Sequence, residues 1–435
     1  MTRVVFHTDV EDVPDLRDDR EVHVVIYAAG RMPEGVARIG YQLLDATSRF
    51  GFGLRTDAFD FLTLALAVTA ADTFVPRGST HDRWCRNLEL QVPLIDPTPW
   101  APVVHRLEAA LNFLSGDRWT VVLGPDGPRP LGHNVIARRR RRIDLSRADC
   151  ACLFSGGLDS YVGALDLIGQ GHRPLLVSHS YPKDSQYQNR LMRRLPAACE
   201  RFTANAHPTW SGASDVSMRT RSFNFMAYGV AAATAISQWR GGDVIDLYIP
   251  ENGHIALNPP LTPRRFGSHS TRTTHPHFLS EIQAIVQAVG LPARLVNPLR
   301  HQTKGTMVRR YAADETFSEL AAQTVSCGKW KRDGVQCGRC VPCLIRRASF
   351  FAAGLEDATP YRSEELREVL ADMRHRDDLV SVMRAVARSN GADMEAWVLQ
   401  AGPLPPDPQE RAAYVDVFRH GIDELRGFLR ASGLP

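Results

Sequence analysis

Long apolar runs are missing from this 435-residue chain. The longest, residues 61–71, falls well short of the ~20 residues a membrane-spanning helix needs, so no membrane association is expected. The beginning of the chain also lacks the apolar stretch of a secretory leader, because Asp9, Glu11, Asp12, Asp15 and Asp18 interrupt it. An excess of one charge is missing too. The formal net charge is +4, which gives nucleic acid no global electrostatic argument as a partner. Charged residues at 23% and hydrophobic ones at 44% describe a globular chain rather than a disordered one. Cysteine is limited to 8 residues, expected as thiols in a reducing compartment rather than as disulfides. The expectation is a soluble, cytoplasmic protein of more than one domain.

Two standard nucleotide signatures are absent. The glycine pair at 156–157 is followed by no Gly-Lys-Ser, which a P-loop NTPase would carry, and by no third glycine, which a dinucleotide fold would carry. What stands there is Ser155-Gly156-Gly157-Leu158-Asp159-Ser160, after the apolar residues 151–154 and before the apolar-periodic 161–165. That context is strand, glycine turn, helix. Glycine N–H groups and a helix N-terminus make an anion cradle, the serines add hydroxyls, and Asp159 is placed to orient the loop or hold magnesium. A glycine turn used for sterics alone is the competing reading.

Downstream lie Cys327, Cys337, Cys340 and Cys343, the last three in Cys-Gly-Arg-Cys-Val-Pro-Cys. Four thiolates at this spacing suit tetrahedral zinc in a closed, structural site, with Gly338 permitting the tight turn. Two disulfides or four unrelated thiols are the alternatives. Lys329, Lys331, Arg339, Arg346 and Arg347 are near enough in sequence to offset the charge of such a centre.

Together with Arg221-Ser222-Phe223-Asn224-Phe225 and Asn297-Pro298-Leu299 followed by Lys304, these motifs resemble, in type and order, the QueC family of 7-cyano-7-deazaguanine synthases. The resemblance covers about residues 148–355. It implies the fold of the N-type ATP pyrophosphatases (the PP-loop, adenine-nucleotide α-hydrolase-like α/β fold), with a parallel sheet and helices on both faces. It also implies ATP as co-substrate, Mg2+, structural Zn2+ and a 7-deazaguanine substrate whose carboxylate is adenylated. Pyrophosphate contacts would come from Ser155, Gly156, Gly157, Leu158, Asp159 and Ser160, with Ser178 and His179 at the next strand end. A buried, purely structural His179 is the alternative. Asp159, Ser160, Lys304 and Arg221 are the candidate catalytic residues, the two cations neutralising the phosphorus centre. Glu251 and Asn252, an acid and an amide at a strand end, suit a guanine-like edge; Arg272, His275 and Phe278 are further substrate candidates.

The chain departs from housekeeping members in the long polar segment 258–278, and looks more like the enlarged QatC-type and CBASS-associated members of antiviral defence loci. That resemblance implies transfer of the deazaguanine to the N-terminal amine of a partner protein. Nitrile formation with ammonia, or a tRNA-modifying pyrophosphatase, are the alternatives. No residue resembles a glutaminase nucleophile. Arg264, Arg265 and Arg272 would bind phosphate or a carboxylate, or face solvent.

Three regions are expected: an N-terminal α+β unit over 1–147, the QueC-like domain over 148–357, and a helical extension over 358–435. In the first, periodicity predicts strands at 22–28, 88–95 and 119–123 and helices at 59–73 and 103–114. The arginine run 138–142 closes it, as an RNA or acidic-partner contact or as a solvated linker.

Overall fold

The computed structural model describes every residue except 16–19, 133–134, 136–140, 180, 216–217 and 263–271, together with all side chains but those of 182, 183, 331 and 332. Arg264, Arg265 and the first three arginines of the 138–142 run therefore lie outside the described residues; Arg141 and Arg142 are exposed.

The chain runs β1 (Thr2–His7), β2 (Glu21–Ile26), β3 (Val36–Ile39), α1 (Leu43–Ser48), α2 (Thr56–Phe74), β4 (Asn87–Pro93), α3 (Val104–Ser115) and β5 (Arg118–Gly124). There follow β6 (Cys150–Leu153), α4 (Leu158–Gly169), β7 (Pro174–His179), α5 (Pro182–Met192), β8 (Arg201–Ala204), α6 (Arg221–Trp239), β9 (Ile245–Tyr248), α7 (Gly253–Leu257), α8 (Pro276–Val289) and β10 (Ala293–Val296). The remainder is helical: α9 (Lys304–Arg309), α10 (Phe317–Ala322), α11 (Trp330–Asp333), α12 (Val341–Ala353), α13 (Leu366–Ala371), α14 (Asp377–Arg388), α15 (Met394–Val398) and α16 (Pro408–Ala431).

Two five-stranded sheets result, ordered β3-β2-β1-β4-β5 and β10-β9-β6-β7-β8, with every pairing parallel. Parallel strands need crossover helices, which cover the sheet faces. α2 is mostly apolar and buried at every position from Ala58 to Phe74, Asp60 and Asp72 included, so it requires neighbours on all sides. It finds β2 and β4 on one side and the alanine-rich α6 on the other, and α6 in turn lies on β6, β7 and β9. One apolar core therefore runs through both sheets. The C-terminal helices build a second core, in which Leu344, Trp397, Phe418 and Ile422 meet.

In each sheet the strand order reverses once, between β1 and β4 and between β6 and β9, and such switch points open a crevice at the strands' carboxyl ends. In the first sheet the crevice is bridged by the chain itself: the Thr8 hydroxyl donates to the Asp126 carbonyl at 3.0 Å, and the N–H of Gly127 to the carbonyl of Leu94 at 2.9 Å. The second sheet's crevice carries the glycine loop after β6 and Glu251-Asn252 after β9.

A buried charge network secures the first unit. Asp117 accepts from Arg86 Nε at 3.1 Å, Arg86 Nη2 at 2.5 Å and Arg77 Nη2 at 2.8 Å, and both arginines also reach Asp72. All four side chains are buried. Replacing Asp117 by Ala leaves the buried Arg86 with Asp72 as its remaining carboxylate, shared with Arg77, which also reaches Asp215 at 3.3 Å, and should destabilise the protein by about 3–5 kcal/mol. Asp243→Ala, which breaks an exposed pair with Arg240, should change stability by less than about 1 kcal/mol. Denaturant midpoints of the two variants check both figures.

Candidate functional site

Gly156 adopts φ +84°, and a Cβ there would lie 2.3 Å from the Tyr187 ring, so only glycine lets α5 press on the loop. The loop is held from three sides. Gln188 Nε2 donates to the Ser155 carbonyl at 3.1 Å, the N–H of Val325 to the Gly156 carbonyl at 3.1 Å, and the serines close it from within. Ser160 Oγ accepts the N–H of Gly156 at 3.1 Å and donates to the Gly157 carbonyl at 2.9 Å; Ser155 Oγ accepts the N–H of Gly157 at 3.2 Å. The glycine N–H groups are thus not bare, as the sequence suggested: the loop's own hydroxyls take them. The N–H groups of the first turn of α4, which have no intrahelical acceptors, are left to face an anion.

Asp159 is buried on that first turn. Its Oδ2 accepts from the backbone N–H and the amide of Asn252 at 2.9 and 2.6 Å, and its Oδ1 pairs with Lys304 Nζ. Burial would raise its pKa, but the Lys304 ammonium and the hydrogen bonds outweigh burial and hold it low. Beside it, burial and the Asp159 charge push Glu251 well above the ordinary carboxyl range. A lysine, a carboxyl held toward its ionised form and a carboxyl pushed toward its protonated form therefore share this corner. Both oxygens of Asp159 are engaged in holding Asn252 and Lys304.

A cleft of about 190 Å³ opens over this corner, lined by Ser155, Ser160, His179, Arg221, Phe225, Glu251 and Thr273–Thr274 among others. Arg221 Nη2 lies 2.8 Å from His179 Nε2 and 3.3 Å from Asp184 Oδ2, with its guanidinium over the Tyr181 ring. Phe225 packs on His179 with centroids 4.9 Å apart. Asp184 and Phe225 were not singled out from the sequence for this site; the Asp184 contact with Arg221 spans 37 positions, and its contact with His179 at 3.4 Å forms only once β7 and α5 are placed. Ser178 sits behind the cleft, fully buried, donating to the Phe154 carbonyl at 2.8 Å.

Three expected substrate residues stand elsewhere. Phe278 is fully buried in the main core. His275 caps α8 by accepting the N–H of His277 at 3.2 Å and packs against Phe113. Arg272 donates to the Phe113 carbonyl at 3.0 Å and covers that ring. Pro276 at the first helical position is the signal that marks His275 as a cap. From the same polar segment, Thr273 and Thr274 reach the cleft.

The four cysteines converge in a buried cluster whose sulfurs all lie within 4.8 Å of one another. Bonds of about 2.3 Å in a tetrahedral zinc site require sulfurs about 3.8 Å apart; Cys340–Cys327 is 3.8 Å and Cys337–Cys343 is 3.9 Å. All four are free thiols, so the donor set fits zinc. Gly338 has φ +76°, and a Cβ would meet the Ser363 carbonyl at 2.1 Å. Arg347 donates to the Gly338 carbonyl at 3.3 Å. Arg346 is buried in a clasp with Thr324, Thr359 and the Ala321 carbonyl, serving packing more than charge compensation. Trp330 and Tyr361 cover the cluster.

The purified protein should carry about one zinc per chain, with Cys340→Ser lowering both metal content and yield of folded protein; atomic absorption decides, and a fully folded metal-free protein would count against the site. Glu251 generates a pH signature. With its pKa raised in the folded state, the folded chain holds a proton that the unfolded chain releases. Its contribution to stability is therefore lost as pH rises from the ordinary carboxyl range through the raised value. Melting curves across that range should show a shallower decline for Glu251→Gln than for wild type.

No family model matches the chain. Among curated proteins, 7-cyano-7-deazaguanine synthase of Cupriavidus necator is 30% identical over 230 residues, 48% of this chain and 96% of that protein. The synthase of Cupriavidus taiwanensis is 26% identical over the same length and shares. The synthase of Thiobacillus denitrificans is 42% identical over 72 residues, covering 17% of this chain and 31% of that relative. The matches to nearly whole synthases, on a chain with a parallel α/β sheet, a serine-glycine loop at its switch point and a four-cysteine cluster, lead to one conclusion: the chain belongs to the 7-cyano-7-deazaguanine synthase family.

Proposed function

We propose that the protein adenylates the carboxylate of a 7-deazaguanine, such as 7-carboxy-7-deazaguanine, with release of pyrophosphate from ATP, and then passes the acyl group to an amine. The observation that carries this reading is the cleft itself, which joins the glycine loop, Arg221 and Glu251 at one switch point. A carboxylate is a poor electrophile until its oxygen becomes a leaving group. The first turn of α4 receives the departing pyrophosphate, and Arg221 and Lys304 offset charge on the phosphorus. A protonated Glu251 offers a donor, and its backbone is fixed by Asn297, whose amide donates to the Glu251 carbonyl at 2.9 Å. Magnesium carried by ATP screens its phosphates; no step above depends on a magnesium ligand from this chain. The zinc-type cluster lies outside the cleft and acts as scaffold.

The amine acceptor in this reading is the N-terminus of a partner protein, as in the defence-associated members the sequence resembles. About half of the chain has no counterpart in the whole-length synthase matches, and admitting ammonia requires no such additions. Thr273 and Thr274 bring the added polar segment to the cleft mouth. A thiolating tRNA enzyme would need a reactive cysteine by the loop. Cys150 and Cys152 are buried on β6, where burial pushes both thiols up, which speaks against that chemistry.

Incubation with ATP, magnesium and 7-carboxy-7-deazaguanine should release AMP and pyrophosphate, with at least a hundredfold loss in Asp159→Ala, by analogy with the loss of one preorganised electrostatic contact. ADP and orthophosphate as products would overturn the assignment. Intact-mass spectrometry of a co-expressed partner from the same locus should show the deazaguanine acyl group on its N-terminal amine. An unmodified partner together with accumulating 7-cyano-7-deazaguanine would establish the ammonia-using synthase instead.

A further inference from the structure

We propose that two carboxylates outside the stretch bearing the synthase motifs, Asp72 and Glu424, are positioning residues for two cations of the site: Arg221, which lines the cleft, and Lys304, which is buried against Asp159 outside the cleft lining. The inference rests on the catalytic reading above.

Arg221 opens α6, and the two residues before it are fastened to the N-terminal unit. Asp72 Oδ2 accepts both the N–H and the hydroxyl of Thr220, at 2.8 and 2.9 Å. Its other oxygen is held by Arg86 at 2.6 Å and Arg77 at 2.8 Å, so the carboxylate has no freedom to follow a moving helix end. Thr220 occupies the cap position of α6 yet makes no side-chain cap bond to that helix; its hydroxyl is spent on Asp72. Arg219 donates to the Ser115 carbonyl at 2.9 Å and lies 3.9 Å over the Trp84 ring.

Lys304 is bracketed in the same manner by the C-terminal helix. Glu424 of α16 accepts the Thr303 hydroxyl on Oε1 and the N–H of Gly305 on Oε2, the latter at 3.2 Å. A Cβ on Gly305 would lie 2.3 Å from Glu424 Oε1, so the bracket closes only over glycine. Lys304 is thereby aimed inward at Asp159. Each cation is thus flanked by backbone anchored to a different peripheral unit, and neither carboxylate touches the cleft.

Thr220→Val keeps shape and removes one bond of the first clamp. It should lower kcat/KM for AMP formation by roughly ten- to a hundredfold, the scale of a small misplacement of a reacting group, while Tm stays within about 2–4 °C of wild type. Added to Arg221→Ala it should have no further effect, because it acts through that side chain. The same cycle with Glu424→Ala and Lys304→Ala, read by ATP binding, tests the second clamp. Equal losses in the presence and absence of the cation, or full activity at a lowered Tm, would reduce the carboxylates to structural roles. Should the wild-type protein form no AMP, the catalytic reading fails on its own. The first clamp is then judged by the His179 ring signals in NMR, since Arg221 contacts that ring. Thr220→Val must move those signals, and unmoved signals would overturn the clamp.

Discussion

The contact between α2 and α6 is the constraint on which the rest of the molecule depends. A helix buried on every side, such as residues 56–74, turns almost no surface toward water and must find a partner for each polar group it carries, and an alanine-rich neighbour allows close axial approach. Burying it requires a sheet on each flank, and two parallel sheets therefore face each other across a helical double layer. The first sheet is in this sense the price of a helix that the second sheet's α6 needs as cover. The same contact brings Asp72, near the end of α2, beside the start of α6, so packing and cleft geometry are set by one interface.

Within the second sheet, strand order does the work of gathering chemistry. β6 and β9 are neighbours in space although three helices and two strands separate them in sequence. Their adjoining ends place Asp159 against Asn252 and Glu251, and the turn into α9 adds Lys304. The resulting corner favours one proton more than its groups would hold in isolation, because burial and the Asp159 charge disfavour a second carboxylate beside a single lysine.

Much of this was legible from sequence where chemistry is local. The six-residue loop, the cysteine spacing and the strand-end Glu251-Asn252 each declare themselves within a few positions, and the helix expected over 59–73, found at Thr56–Phe74, is long enough for periodicity to speak. Four-residue strands such as β3, β8 and β10 are too short to show alternation, and escaped notice. Long-range partners were invisible for a different reason: nothing at Asp184 announces Arg221, and nothing at Glu424 announces Thr303. In the polar segment, Arg272 and His275 meet backbone groups of α3 and α8 and Phe278 fills the core, placements that a run of polar residues does not announce.

The self-bonded loop bears on how a nucleotide would be received. Ser155 and Ser160 already fix the glycines in their turn, and Tyr187, Gln188 and Val325 fix its outside. An arriving phosphate group therefore finds a rigid mould whose ordering entropy was lost when the chain folded, not when the ligand binds. Under the proposed reading, recognition at this end of the cleft is a docking onto standing geometry, and the entropic cost of association falls on the ligand.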